Sequence, residues 1–97
     1  MTKGYWVAHV DVDDMETYKT YIAANAAPFA EYGARFLVRG GKHRVCEGSS
    51  RQRTVVIEFD SYEAALACYE SAGYQAAKDL RDPVAVSDLV VIEGYDS

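Results

Sequence analysis

The run Arg53-Thr54-Val55-Val56-Ile57-Glu58-Phe59 is the most strand-like stretch of the chain, and the fold prediction starts from it. β-Branched and aromatic residues fill most of its positions, as is typical of a strand. Gly48-Ser49-Ser50 predicts a turn before the run, and Ser61 predicts the N-cap of a helix that begins at Tyr62. The middle of the chain is therefore predicted to be a strand followed at once by a helix.

Three further strands are predicted on either side of this centre. All are short runs rich in β-branched and aromatic residues, and they span Gly4 to Val12, Ala34 to Arg39 and Ser87 to Glu93. Gly40-Gly41 predicts a bulge or a break after the second of these strands, and His43 to Glu47 is predicted to continue extended.

Two helical segments are predicted between these strands. Asp13, followed by Glu16, predicts the N-cap of the first helix, and Pro28 predicts a kink or a restart within it. The three- and four-residue spacing of its apolar side predicts a buried stripe of Met15, Tyr18, Ile22, Asn25 or Ala26, and Phe29. The second helix is predicted to be interrupted at Gly73 and closed by Pro83.

The resulting order, βαββαβ, predicts an α+β protein of the ferredoxin-like class. Such a fold has one four-stranded antiparallel sheet with both helices on the same face. The length of 97 residues predicts a single domain over residues 1–97.

Both faces of the predicted sheet carry apolar residues. In the first strand Trp6 and Ala8 alternate with Tyr5 and Val7, and the last strand is apolar on both sides throughout Leu89-Val90-Val91-Ile92. Two helices cover only one face, so the other face needs a cover. A second copy related by a two-fold axis supplies it, which predicts a homodimer whose sheets face one another.

Three polar residues are predicted on that second face, namely His9, Glu58 and Arg39. Because the first and third strands are neighbours in ferredoxin-like order, these side chains are expected to share one partly enclosed chamber. His9 and Glu58 are the candidate catalytic residues for proton transfer, and Arg39 is the candidate to bind an anionic group of the ligand. The alternative is that these buried charges only pair with one another and have a structural role.

Four other residues are candidate ligand contacts. Tyr18 and Tyr74 combine a ring that packs with a hydroxyl that can reach a cavity, although packing alone also explains them. Asn25 lies on the predicted buried stripe, where its amide needs partners. Arg81 ends the last helical stretch, where interaction with the helix dipole is the alternative explanation.

Composition excludes several classes of partner and site. Fifteen acidic and ten basic residues give a net charge of -5, the wrong sign for binding nucleic acid or an anionic membrane. No apolar run predicts a membrane helix or a secretion signal, so a cytoplasmic location is expected. Cys46 and Cys68 lack metal-ligand spacing and are expected to act as small hydrophobic residues. No cofactor and no metal site are predicted.

Several segments together resemble a family of small bacterial proteins known as domain of unknown function 1330, namely Gly4-Tyr5-Trp6, Phe36 to Gly41, Val56 to Phe59, and Tyr69 to Gln75. The resemblance covers almost the whole chain and implies a dimeric α+β barrel. The wider superfamily is similar to cofactor-free monooxygenases, lactone isomerases and haem-binding proteins, which place substrates between sheet and helices or within the barrel. Haem is not expected here because the domain is small and His9 has a predicted acidic neighbour.

Two functions follow as hypotheses. The first is that each subunit binds a small, partly apolar organic molecule and performs acid-base chemistry on it. The second is a non-catalytic dimeric module that senses a ligand or mediates a subunit interaction. The sequence does not choose between an enzyme and a binding module.

Overall fold

The computed structural model describes residues 2–96 and has the predicted ferredoxin-like arrangement. Its elements, in chain order, are β1 (Gly4–Val12), α1 (Met15–Glu31), β2 (Arg35–Arg39), β3 (Arg53–Phe59), α2 (Tyr62–Glu70), α3 (Ala72–Arg81) and β4 (Ala85–Glu93). The four strands form one sheet in the order β2-β3-β1-β4, and all neighbours are antiparallel. The predicted central pairing of the first and third strands is confirmed.

The helices cover one face of this sheet, which we call the inner face, and the opposite side is the outer face. Trp6 lies at the centre of the inner face and is only 2% exposed. Its ring packs at centroid distances of 5.2 Å from Phe29, 5.5 Å from Phe59 and 4.8 Å from Tyr74. Its indole Nε1 donates to the carbonyl of Ala65 at 2.8 Å. One residue of β1 therefore joins all three helices to the sheet.

The helix starts agree with the sequence to within one residue. Ser61 caps α2 as predicted. The cap of α1 is Asp14, whose carboxylate accepts from the amide of Thr17 at 3.3 Å, and not Asp13. The amide of Asp13 instead donates to the carbonyl of Val84 at 2.7 Å, which ties the end of β1 to the start of β4.

Two predicted helix irregularities are corrected. The alternative of a restart at Pro28 is wrong, since α1 is one helix through Pro28, whose carbonyl accepts from the amide of Tyr32 at 3.1 Å; the alternative of a kink stays a prediction. The break after α2 falls at Ser71 and not at Gly73. Ser71 has extended backbone, and its hydroxyl accepts from the amide of Tyr74 at 3.2 Å, so the break also begins α3.

The segment from residue 41 to residue 50 is exposed throughout and contains no strand. The predicted extension of β2 through His43 to Glu47 is therefore wrong, and Cys46, expected to act as a small hydrophobic residue, is exposed. Cys68 is fully buried, and burial raises the pKa of its thiol to about 12. Within residues 2–96, no helix has both the length and the apolar character needed to cross a bilayer.

Candidate functional site

A cavity lies between the inner face of the sheet and α1. Its volume is about 40 Å³, and since one water takes roughly 10–15 Å³ on this measure, it has room for about three water-sized groups. That is the size of a carboxylate. Most of its wall is aromatic or aliphatic, including Trp6, Ala8, Phe29, Phe36, Ile57 and Leu89.

Three arginines from three different elements line this cavity. Arg39 is the last residue of β2, Arg53 is the first of β3, and Arg81 is the last of α3. They differ in burial, since Arg39 is exposed, Arg53 is half-buried and Arg81 is only 6% exposed. The cavity wall thus carries one exposed, one half-buried and one buried cationic group.

Each guanidinium lies close to an aromatic ring. The distances from the guanidinium carbon to the ring centroid are 3.9 Å for Arg39 and Phe36, 5.8 Å for Arg53 and Tyr18, and 5.4 Å for Arg81 and Tyr21. A ring face attracts a cation without neutralising it. The aromatic rings therefore hold the arginines in position without compensating their charge.

The charge of these arginines is poorly compensated by protein. Among residues 2–96, no carboxylate lies within 4.0 Å of Arg39 or Arg53, and Arg81 reaches only Asp82, at 3.5 Å. Asp82 is closer to Lys78, at 2.8 Å. Among the described residues, no acidic side chain or histidine is part of the cavity wall. The cavity is therefore positively charged inside a protein whose net charge is -5.

Three buried side-chain polar atoms also lack hydrogen-bond partners. Within the described part of the chain, the buried side-chain polar atoms without a partner are Nε of Arg53, Nε of Arg81 and Oγ of Ser87. Arg53 and Ser87 both lie opposite Val10, on either side of β1. Unpartnered buried polar atoms are uncommon in native proteins, and each requires an explanation.

Polar residues of α1 complete the wall. Asn25, Tyr18 and Tyr21 are all buried and line the cavity. Burial raises the pKa of the Tyr18 hydroxyl and Tyr21 adds to the rise, against the opposing effect of the three arginines. Tyr18 therefore stays neutral and can donate or accept a hydrogen bond.

A short hydrogen-bonded chain connects Tyr21 to Arg81 through Tyr74. The hydroxyls of Tyr21 and Tyr74 are 2.8 Å apart, and Nη1 of Arg81 donates to the Tyr74 hydroxyl at 3.0 Å. Tyr74 is fully buried and is not part of the cavity wall. Burial raises the pKa of Tyr74 far above its ordinary range, so its hydroxyl keeps its proton.

The structure brings together most of the ligand contacts proposed from the sequence. Arg39, Asn25, Tyr18 and Arg81 line the one cavity, and Tyr74 touches Arg81 directly behind it. Their function in binding stays a prediction.

Sequence reasoning gave no site role to Arg53, which is a polar residue of the wall. Arg53 alternates with Val55 and Ile57 on the inner parity of β3, which is the signal that places it. Tyr21 was among the tyrosines whose hydroxyls were expected to be able to reach a cavity, and it lines this one.

The predicted chamber containing His9, Glu58 and Arg39 does not form. A register shift between Phe36 and Val38 comes before the predicted break at Gly40-Gly41, so Arg39 pairs with Val55 and lies on the inner face.

His9 and Glu58 share the outer face but are also well separated from each other. His9 pairs with Thr54, which is four residues from Glu58 on β3, or about 13 Å at the rise of a strand. The roles predicted for His9 and Glu58 remain predictions, but neither residue reaches the cavity.

His9 lies in a shallow depression of the outer face. Its Nδ1 is 3.0 Å from the hydroxyl of Thr54. Arg51 occupies the same depression and is held by Asp11 and Asp88, both at 2.9 Å. Among residues 2–96, His, Cys, Asp and Glu side chains form no group of three suited to binding a metal.

Glu58 is held by its neighbours on the outer face. Its carboxylate accepts from Nε of Arg35 at 3.0 Å and from the hydroxyl of Tyr5 at 3.1 Å. The bond from Arg35 holds the pKa of Glu58 below its usual value. A carboxylate stabilised in its charged form is a weak base, so this arrangement is typical of a structural ion pair.

Comparison with known proteins shows the family and the fold. A family model described as "Domain of unknown function (DUF1330)" matches residues 3–95. No curated protein matches the sequence significantly. The RPA0582 protein of unknown function from Rhodopseudomonas palustris has a similar structure, with a TM-score of 0.77 and 16% identity over 99% of this chain and 85% of that chain.

Two other similar structures carry more descriptive names. SnoaB, a cofactor-independent oxygenase from Streptomyces nogalater, matches with a TM-score of 0.67 and 14% identity over 100% of this chain and 97% of that one. A dimeric ferredoxin-like protein of unknown function from Thermobifida fusca matches with a TM-score of 0.58 and 14% identity over 94% and 92%. At these identities the likeness shows a shared fold.

Proposed function

The chain belongs to the DUF1330 family, and we propose that it is a homodimeric protein that binds a small, partly apolar organic acid in the cavity between the inner face and α1. One observation carries the proposal. Arg53 and Arg81 both line this cavity, and each has a buried Nε donor without an acceptor in the described residues. An anionic ligand supplies the missing acceptor.

The chemistry of the wall favours a carboxylate over other ligands. A guanidinium presents a planar set of donors that matches the two oxygens of a carboxylate, and such charge-assisted bonds are strong where water is excluded. The cavity holds the carboxylate and is partly open to solvent, and the half-buried Phe36 and Leu89 of its wall provide apolar contact for the rest of the molecule. A cation is disfavoured because three arginines would repel it.

The composition of the wall favours binding over proton abstraction. Its polar groups are arginines, tyrosines and an amide, which donate hydrogen bonds, and it contains no carboxylate or imidazole to act as a base. His9 and Glu58 lie on the other face of the sheet, so the proposed binding does not depend on them. This supports the non-catalytic alternative. The oxygenase activity of SnoaB is not carried over at 14% identity.

The homodimer is proposed because the outer face of the sheet carries exposed apolar residues. Val90 is 55% exposed, Ile92 is 49% exposed and Leu37 is 54% exposed, and Val7 and Val56 lie between them on the central strands. An apolar sheet surface of this kind is normally covered. A second copy presents the same surface, and the similar protein from Thermobifida fusca is described as dimeric. We also propose a cytoplasmic location, as expected from the sequence.

The proposal that the ligand is an acid is tested by comparing an acid with an amine of similar carbon skeleton. Butyrate is expected to raise the melting temperature of the protein progressively, with the logarithm of its concentration above the Kd, and butylamine is not expected to do so. Nuclear magnetic resonance shifts at Trp6 would confirm binding at the cavity. Equal responses to the two compounds, or shifts confined to the outer face, would contradict the proposal.

The dimer is tested separately by sedimentation. The wild-type protein is expected to sediment at twice its 10.7 kDa chain mass. Val90→Lys is expected to give monomers because it places a charge in the proposed interface, while Lys19→Ala, on the exposed side of α1, is the matched control. A wild-type monomer at micromolar concentration would overturn this part of the proposal.

A further inference from the structure

The direction of the hydrogen bonds between Arg81, Tyr74 and Tyr21 can be assigned from their chemistry. A guanidinium only donates, so the Tyr74 oxygen accepts from Arg81 at 3.0 Å. Tyr74 also carries its own proton in a fully buried site, and the Tyr21 oxygen lies 2.8 Å away. The arrangement that satisfies both groups is donation from Tyr74 to Tyr21. The reverse leaves the proton of Tyr74 buried without an acceptor, which is costly.

With this direction fixed, the Tyr21 hydroxyl still has its own proton to donate. Tyr74 and Arg81 both approach the Tyr21 oxygen as donors, which leaves the Tyr21 proton unused, and Tyr21 lines the cavity whereas Tyr74 does not. We propose that Tyr21 is a ligand-binding residue that donates a hydrogen bond to a carbonyl or enolate oxygen, and that the ligand is a short oxo acid. This inference rests on the proposed function.

The positions of the donors fit the spacing of functional groups in such an acid. Arg81 lines the cavity, has an Nε without a partner among the described residues, and begins the chain that ends at Tyr21. Its guanidinium carbon lies 5.4 Å from the centre of the Tyr21 ring, so the carboxylate site and the carbonyl site are close together. In a 2-oxo acid these two groups are on adjacent carbons. The positive charge at one end of the chain also polarises both hydroxyls and strengthens the donation.

The test compares 2-oxobutyrate with butyrate, which share a carbon skeleton, by isothermal titration calorimetry. Wild-type protein is expected to bind 2-oxobutyrate about 2- to 10-fold more tightly, the effect of one hydrogen bond. Tyr21→Phe is expected to bind both acids with the same affinity. Tyr69→Phe is the matched control, because Tyr69 packs on Tyr74 at 5.6 Å outside the cavity wall and its removal keeps the preference.

Tyr74→Phe gives a second, independent measurement. It keeps every residue of the cavity wall but frees the Tyr21 hydroxyl to rotate, so the ratio of the two affinities is expected to fall towards one, while the loss of an Arg81 acceptor weakens both acids alike. A wild-type protein without preference, or a preference that survives in both Tyr21→Phe and Tyr74→Phe, overturns the role of Tyr21 and leaves the proposed binding of acids standing. Failure of the wild type to bind either acid overturns both proposals.

Discussion

The arginines on the two faces of the sheet differ in how their charge is compensated. On the outer face, Arg35 and Arg51 each lie between two carboxylates at 2.9 to 3.1 Å. On the inner face, Arg39 and Arg53 have no carboxylate within 4.0 Å among residues 2–96, and Arg81 has only a long contact. The same residue type therefore serves two purposes in one small chain. The compensated arginines link neighbouring strands, and the poorly compensated ones are those that we propose to bind the ligand.

Replacing an arginine by methionine is expected to have opposite effects on ligand affinity and stability on the two faces of the sheet. Arg81→Met removes a buried charge and fills the space with an apolar chain, so the affinity for butyrate is expected to fall about 10-fold or more. The melting temperature without ligand is not expected to fall, because replacing a poorly paired buried charge by an apolar residue is often neutral or stabilising. Calorimetry and thermal denaturation measure the two quantities.

Arg51→Met is the matched control on the outer face. It leaves Asp11 and Asp88 side by side without their common cation, so the melting temperature is expected to fall while butyrate affinity is unchanged. If both variants lose affinity equally, or if Arg81→Met is the less stable of the two, the proposed division between the faces is wrong.

A smaller effect is expected from Gly40, which determines where Arg53 lies. A Cβ added at Gly40 would meet the guanidinium carbon of Arg53 at 2.8 Å. Gly40→Ala is therefore expected to displace the guanidinium and to weaken butyrate binding by a few-fold. The positive φ of 67° adds a backbone cost of about 1–2 kcal/mol.

Gly48→Ala separates the effect of displacing the Arg53 guanidinium from the backbone cost of a positive φ. Gly48 has a similar φ of 72° but open space around it, so its substitution is expected to cost the same stability without changing affinity. Affinity and urea denaturation measured on both variants check this. Equal affinities for the two variants would show that Arg53 is not held in place by the close approach of Gly40.

The smallest expected effect is the pH dependence of an outer-face ion pair. Arg35 holds the pKa of Glu58 below its ordinary value of 4.5, so the pair stabilises the fold above that pH and its contribution is lost as the pH falls through the lowered pKa. Glu58→Gln is expected to melt below the wild type at pH 7, with the difference shrinking below pH 4.5. Thermal denaturation across this range measures it, and a constant difference would contradict the assignment.

The sequence predicted the order of the elements because the strands are strongly apolar and their ends carry clear signals. Ser61 is such a signal, and β3 has the predicted bounds. It did not predict the site as a whole, because the site depends on register. A bulge within β2 reverses the side on which Arg39 lies, and alternation along one strand does not reveal such a bulge. The unpartnered Nε atoms of Arg53 and Arg81 are likewise visible only in three dimensions.

The register shift between Phe36 and Val38 also bears on how this site can change in evolution. A deletion of one residue there would carry the Arg39 guanidinium from the cavity to the opposite surface while leaving its position in the sequence almost unaltered. Insertions and deletions in this short strand are thus a direct route to new ligand preference. Relatives are better compared by the face on which an arginine emerges than by the column it occupies in an alignment.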